Sequence, residues 1–78
     1  MNIAIYKKTG CPWAAAVAAF LKAQDIPFEE RDITRNPDFK REVEEKSGQS
    51  KSPTLIIDGE VLPDASVEQV FEVLQKKK

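Results

Sequence analysis

The chain has 78 residues, 41% hydrophobic and 32% charged, which fits one small globular domain over residues 1–78 and excludes a multidomain enzyme or a disordered segment. Twelve Lys and Arg against thirteen Asp and Glu leave a net charge of -1, without the basic footprint of a nucleic-acid binder. With no histidine and one cysteine, His-based acid–base catalysis, an internal disulfide and a protein-only metal cage are excluded, and no metal site is expected.

Ile3-Ala4-Ile5-Tyr6 is a short apolar run and predicts a buried strand. Lys7 to Gly10 form a loop. Pro12 suits the first helical position, where its missing N–H has no intrahelical acceptor. The helix is expected to run to about Gln24, with Trp13, Val17, Phe20 and Leu21 at helical spacing. The alanines at 14, 15, 16, 18 and 19 favour helix and allow close approach to a sheet. Ile26-Pro27 breaks it, and Phe28 to Ile33 is a second strand. Its charges, Glu29 to Asp32, fit an edge position protected against aggregation.

Asn36-Pro37 reads as an N-cap followed by Pro at the first helical position, and Gly48 as the stop after about Lys46. The apolar stripe of this helix is thin, Phe39 and Val43. Lys40–Glu44, Arg41–Glu45 and Glu42–Lys46 stand four apart on its exposed face. Thr54-Leu55-Ile56-Ile57 is the strongest strand signal, Asp58-Gly59 a hairpin turn, and Glu60-Val61-Leu62 the return strand. Ser66 and Gln69 make a capping box, and the last helix presents Val67, Val70, Phe71 and Leu74. Lys76-Lys77-Lys78 suits the negative end of that helix and reads as a solvated tail. The four phenylalanines, Phe20, Phe28, Phe39 and Phe71, are expected in the core. Neighbouring carboxylates in Glu29-Glu30 and Glu44-Glu45 point in different directions and share no site.

The order β-α-β-α-β-β-α gives an α/β fold. The first β-α-β is a right-handed parallel unit and the last two strands are a hairpin, in a four-stranded mixed sheet flanked by three helices. No apolar run is long enough to span a bilayer, and Met1 to Tyr6 is too short and strand-like for a signal peptide. The expected compartment is the cytoplasm, where a lone thiol stays reduced.

The chemistry centres on Cys11. It precedes Pro12 at a helix start, where unpaired N–H groups and a partial positive charge favour thiolate over thiol. Lys8 adds a cation beside it. The plain alternative is a small buried core residue, against which the flanking Gly10 and Pro12 argue for a surface turn.

The segment Ile5-Tyr6-Lys7-Lys8-Thr9-Gly10-Cys11-Pro12-Trp13 resembles the glutaredoxins, within the thioredoxin-like fold. In that family a strand and loop lead into Cys-Pro-aromatic-Cys at the start of the first helix. Pro53, in Lys51-Ser52-Pro53-Thr54, stands where the family has a cis-proline opening the third strand. The resemblance implies a thiol-disulfide oxidoreductase with Cys11 as nucleophile, within a redox motif completed by Pro12, Trp13 and Ala14. It implies glutathione as co-substrate, no bound cofactor, and glutathionylated or disulfide-containing proteins as partners. The backbone of Ser52, beside Pro53, is expected to pair with the cysteinyl portion of the substrate. Lys8 and Lys40 are the expected contacts of the glycine carboxylate, with a plain surface lysine as the alternative for each. Trp13 is expected to pack on a substrate or to shield the helix start.

Three positions depart from the family pattern. Ala14 replaces the second cysteine, which leaves monothiol chemistry: Cys11 takes glutathione from a glutathionylated partner and a second glutathione releases it. Ala14 reads as a replaced resolving cysteine; a natural variant is the alternative. Lys51-Ser52 replaces Thr-Val before the proline and makes the wall more polar. Leu62-Pro63-Asp64-Ala65-Ser66 replaces a Gly-Gly loop that holds the γ-glutamyl end of glutathione in relatives. Here Asp64 is expected to meet an ammonium, and the turn Ala65-Ser66 to offer amides to a carboxylate.

Two alternatives stand beside this reading. One is an electron donor served by thioredoxin reductase; the other is a catalytically silent binding module of the same fold. Pro12 and Trp13 crowd the cysteine against the iron–sulfur cluster that some dimeric relatives hold. The expected form is a monomer, with a Cys11–Cys11 disulfide as a route to a dimer in air.

Overall fold

A computed structural model describes residues 1–77 of the chain. The elements are β1 (Ile3–Lys7), α1 (Pro12–Ala23), β2 (Glu29–Asp32), α2 (Pro37–Ser47), β3 (Thr54–Ile57), β4 (Glu60–Leu62) and α3 (Val67–Lys76). The strands form one sheet in the order β2-β1-β3-β4. β1 runs parallel to β2, with Tyr6 opposite Arg31. It runs antiparallel to β3, with Tyr6 opposite Thr54, and β3 and β4 make the antiparallel hairpin. This is the mixed sheet with three helices that the sequence predicts, and it is the thioredoxin-like fold. Lys78, at the end of the lysine tail, lies outside the described residues.

Alternation along β1 builds two cores. Ile3 and Ile5 face one side, where they meet Val17, Ala18 and Leu21 of α1, Leu55 and Ile57 of β3, and Val70, Val73 and Leu74 of α3. Ala4 and Tyr6 face the other side, where Tyr6 joins Ile33 and Val43 with Phe39 and Ile56 packed around them. Burying each of these aliphatic side chains contributes about 1.5–3 kcal/mol.

The helix ends form as their sequences dictate. The Asn36 side chain accepts Asp38 N–H at 3.0 Å, Gly48 closes α2 in the left-handed region at φ 74, and Ser66 and Gln69 make the reciprocal capping box.

Other expectations are corrected. The buried face of α1 is Ala14, Val17, Ala18 and Leu21, with Phe20 only partly buried, while Trp13, expected beside the thiol rather than in the core, is 72% exposed. Pro12 fixes where α1 begins, and the phase that turns Ala14 into the core turns Trp13 outward. Phe71 is exposed and Val73 fills the core instead; Phe71 meets Phe20 edge to face, ring centroids 6.2 Å apart at 73°. Phe20, Phe28 and Phe39 are partly buried around the two cores. β2 is shorter than expected, because Phe28 and Ile33 leave the ladder. Among the described residues Arg41 pairs with Asp38 at 3.7 Å rather than with Glu45, and of the three four-apart pairs only Glu42–Lys46 closes, at 3.5 Å.

Candidate functional site

Gly10 at φ 77 turns the chain out of β1, and the Cys11 N–H closes that turn on the Lys8 carbonyl at 3.2 Å. Cys11 is then the N-cap of α1, with extended backbone at φ -70, ψ 116, and Pro12 takes the first helical position. The sulfur is therefore held at the positive end of the helix, partly exposed, 3.8 Å from the carbonyl oxygen of Ser52. Ser52–Pro53 is a cis peptide, and Pro53 is buried under the start of β3. Partial burial pushes the Cys11 pKa up. It is outweighed by a hydrogen bond from the Ser52 side chain, by the amides of Ala14 and Trp13, and by the charge of Lys8, so the thiol lies below its ordinary value.

Ser52 is fixed from a second side, since its hydroxyl accepts the Lys8 N–H at 3.0 Å. The loop carrying Cys11 is clamped to the end of β2. Thr9 donates its hydroxyl to Asp32 at 2.6 Å, and the Thr9 N–H reaches the Thr34 hydroxyl at 3.2 Å. The other oxygen of Asp32 accepts the N–H groups of Thr34 and Arg35 at 2.8 and 2.9 Å. The Thr9 hydroxyl, followed by the Arg35 N–H, holds the Asp32 carboxyl below the usual carboxylate range.

Two grooves reach residues near this cysteine, one through Trp13 and one through Lys8. One, about 450 Å³, is lined by Trp13, Ala16 and the residues Asp64 to Glu68 at the start of α3. The other, about 440 Å³, is lined by Lys8, Lys40, Ile33, Thr34, Pro37 and Ser50. The fold thus brings Lys8 and Lys40 to one groove, and Asp64, Ala65 and Ser66 to the other together with Trp13. Ala14 is 1% exposed and faces the core beneath Cys11.

The loop before α3 departs from expectation in one respect. Its amides are engaged within the chain: Ala65 N–H donates to the Pro53 carbonyl at 2.9 Å, and Ser66 N–H to Gln69 Oε1 at 3.0 Å. The capping box read from Ser66 and Gln69 thus takes the Ser66 amide that the resemblance offers to a ligand.

Sequence reasoning assigned Ser52 only through its backbone; its hydroxyl is the added finding. The Thr9–Asp32 clamp was also missed, although Asp32 two residues before Thr34 is an Asx-turn spacing. On the far face of the sheet, Tyr6, Arg31, Glu29 and Glu42 form a polar network that the sequence conceals. The Tyr6 hydroxyl and the Arg31 guanidinium both bond Glu42, Arg31 also holds Glu29, and its guanidinium stacks 5.3 Å from the Tyr6 ring centroid and 5.6 Å from that of Phe39. Burial first, then the Glu42 hydrogen bond, pushes the Tyr6 pKa up to about 12. Among the described residues no group of three or more His, Cys, Asp or Glu side chains gathers for a metal, and no helix is long and apolar enough to cross a membrane.

A thiolate at a helix N-terminus, beside a backbone carbonyl, is equipped for nucleophilic exchange with a disulfide. Known proteins resemble this chain in sequence and fold. Glutaredoxin 3 of Escherichia coli (strain K12) is 30% identical over 59 residues, covering 76% of this chain and 71% of its own. A crystal structure of a thioredoxin-like protein has the same fold with a TM-score of 0.85 at 27% identity, over 91% of this chain and 97% of that one. A buckwheat glutaredoxin–glutathione complex shares the fold with a TM-score of 0.73 at 16% identity, over 97% of this chain and 70% of that one. The glutaredoxin family model matches residues 3–62. That span holds all four strands and, with them, Cys11, Ser52 and Pro53, so this chain belongs to the glutaredoxin family.

Proposed function

We propose that Cys11 is the nucleophile of a monothiol disulfide exchange. The Cys11 thiolate attacks one sulfur of a disulfide; a new sulfur–sulfur bond forms, the old one breaks, and the departing thiolate takes a proton from water. The observation that carries this reading is the Cys11 sulfur at the start of α1, 3.8 Å from the Ser52 carbonyl. Ser52 offers its backbone to the cysteinyl portion of the partner. Lys8 and Lys40 receive a carboxylate on one side, and Asp64 receives an ammonium on the other.

Ala14 carries no sulfur, so the mixed disulfide has no internal route to resolution. A second thiol must release it, and glutathione serves there; the glutathione complex of the buckwheat relative supports this. The working form is the monomer, with a Cys11–Cys11 disulfide as a side product in air, and the reducing cytoplasm is the compartment that keeps Cys11 free. Mass spectrometry of the reduced chain after exposure to glutathione disulfide tests the reading. One glutathione per chain, absent in Cys11→Ser, is expected; an unmodified Cys11 under conditions that convert free cysteine overturns it.

The engaged amides and the carboxylates at the start of α3 favour a second reading, in which thioredoxin reductase rather than glutathione supplies the electrons. The Ala14→Cys form, offered each reducing system in turn, separates the two. Turnover with the reductase alone selects the electron donor, and turnover with glutathione alone selects the first reading.

A further inference from the structure

The outward side of α1 has almost no polar cover. Among its twelve residues only Lys22 is charged, against seven of eleven on α2. Trp13 is 72% exposed, and Ala16, Ala19 and Ala23 are exposed along the same helix. Trp13, Ala16, Phe20 and Ala23 stand three and four residues apart, so they form one seam along the helix. That seam borders α3. Trp13 and Ala16 line a groove with Val67, and Phe20 meets the ring of Phe71, itself 47% exposed. A contiguous apolar seam with an exposed indole at one end is a surface that another surface covers.

The order of sizes along the seam selects the occupant. From Trp13 to Ala23 it reads large, small, large, small. A second seam laid on it antiparallel, with Ala16 opposite Phe20, also sets Trp13 opposite Ala23, so each aromatic ring meets a methyl group at all four positions. A parallel pairing sets Trp13 on Trp13 and Phe20 on Phe20 and leaves gaps at the alanines. The antiparallel pair is closed by a two-fold axis, and its small residues let the helix axes approach to about 8 Å. With a whole aromatic residue taken as about 200–250 Å², the exposed parts of Trp13 and Phe71 and the alanines between them come to roughly 400–500 Å² per copy. The total of roughly 800–1,000 Å² falls short of the ~1,200 Å² of stable assemblies and suits a weak, transient one.

We infer that the seam of Trp13, Ala16, Phe20 and Ala23 binds the same seam of a second copy of this chain, antiparallel, in a weak reversible dimer. The register places the two Cys11 residues at opposite ends of the pair, roughly 20 Å apart along the axes at about 1.5 Å per residue. Their sulfurs are out of reach of each other, so this pair is distinct from the Cys11–Cys11 dimer formed in air. It covers Trp13 next to Cys11. The monomer therefore remains the form that exchanges disulfides, and association draws it down as concentration rises.

Sedimentation velocity of the full chain in excess reductant, from about 20 μM to about 2 mM, tests this. The weight-average mass should climb from 8.8 kDa toward twice that value, with a midpoint of about 0.1–1 mM. Trp13 is the single tryptophan, and its emission should move to shorter wavelength over the same range. Cys11→Ser should associate as the parent does. Ala16→Glu sets a carboxylate against Phe20 of the second copy and should weaken association about tenfold or more, the effect of an unpaired charge in an apolar contact. Ala15→Glu, exposed on the side of α1 away from the seam, should change it by less than about twofold. Both are exposed helical positions that suit glutamate, and circular dichroism checks that each variant is folded. A chain that keeps a mass of 8.8 kDa at about 2 mM overturns the inference. So does association that reductant or Cys11→Ser abolishes, or that Ala15→Glu weakens as much as Ala16→Glu.

Discussion

The Ser52 hydroxyl accepts the Lys8 N–H at 3.0 Å, so one side chain ties the end of β1 to the loop before β3, and the same side chain helps lower the Cys11 pKa. The same residue sets its carbonyl 3.8 Å from that sulfur. Ser52 thus meets Cys11 twice, its side chain lowering the thiol pKa and its backbone carbonyl lying against the sulfur.

Ser52→Ala separates the two roles, because the backbone remains. The rate of Cys11 alkylation against pH should shift to higher pH. At neutral pH the rate should fall about two- to fivefold, the effect of one hydrogen bond to a charged group at a partly exposed site. The sign for stability follows from the lowered thiol: the unfolded chain holds this proton longer. The Cys11 contribution is therefore present above the unfolded value, near 9.0, and is lost as pH falls through the folded value. An unmoved alkylation profile in Ser52→Ala would assign the lowering to the helix amides and Lys8 alone.

Asp32 reaches Cys11 only through the loop. Asp32→Ala removes the acceptor of Thr9, Thr34 and Arg35 at once. Hydrogen exchange at residues 8–11 should quicken while the strands of the core remain protected, and Cys11 alkylation at neutral pH should slow. Exchange at residues 8–11 identical to the parent would show that Gly10 and the Cys11–Lys8 turn hold the loop unaided.

Tyr6 is the single tyrosine, so its phenolate can be followed by absorbance without overlap. It should ionise near pH 12 rather than 10. In the unfolded chain it ionises first, so its contribution to stability holds below about pH 10 and is lost as pH rises toward 12. Tyr6→Phe keeps the ring and leaves Arg31 and Glu42 paired with each other. The expected cost is about 1–2 kcal/mol, a fall in Tm of roughly 5–10 °C. A larger loss would mean that the Arg31–Glu42 pair depends on the phenol for its desolvation.

Ala14→Cys places a second thiol three residues after Cys11, one helical turn away on the same side of α1. The site is buried, so the added sulfur crowds the core and costs about 1 kcal/mol. In return the mixed disulfide gains an internal exit. Repeated reduction of a protein disulfide should appear in this variant and be absent in the parent chain. If the introduced thiol fails to form a disulfide with Cys11 on oxidation, the placement is refuted.

Local order was legible in the sequence wherever a single residue dictates backbone conformation. Pro12 and Pro37 start helices, Asn36 and Ser66 cap them, Gly48 stops one, and Asp58-Gly59 turns the hairpin, each through sterics or a hydrogen bond within four residues. The cysteine at a helix start was legible for the same reason. Contacts between distant segments were decided only by the tertiary structure. The depth of Ala14, 1% exposed, is set by the phase at which α1 docks on the sheet, which also turns Trp13 outward. The convergence of Lys8 with Lys40, the grip of Ser52 on Cys11 across 41 residues, and the Tyr6–Arg31–Glu42 network all depend on β1 lying between β2 and β3. Capture of the Ala65 amide by the Pro53 carbonyl is the sharpest case. The resemblance offers that amide to a carboxylate, and the fold engages it because a buried N–H left without a partner costs more than one satisfied within the chain.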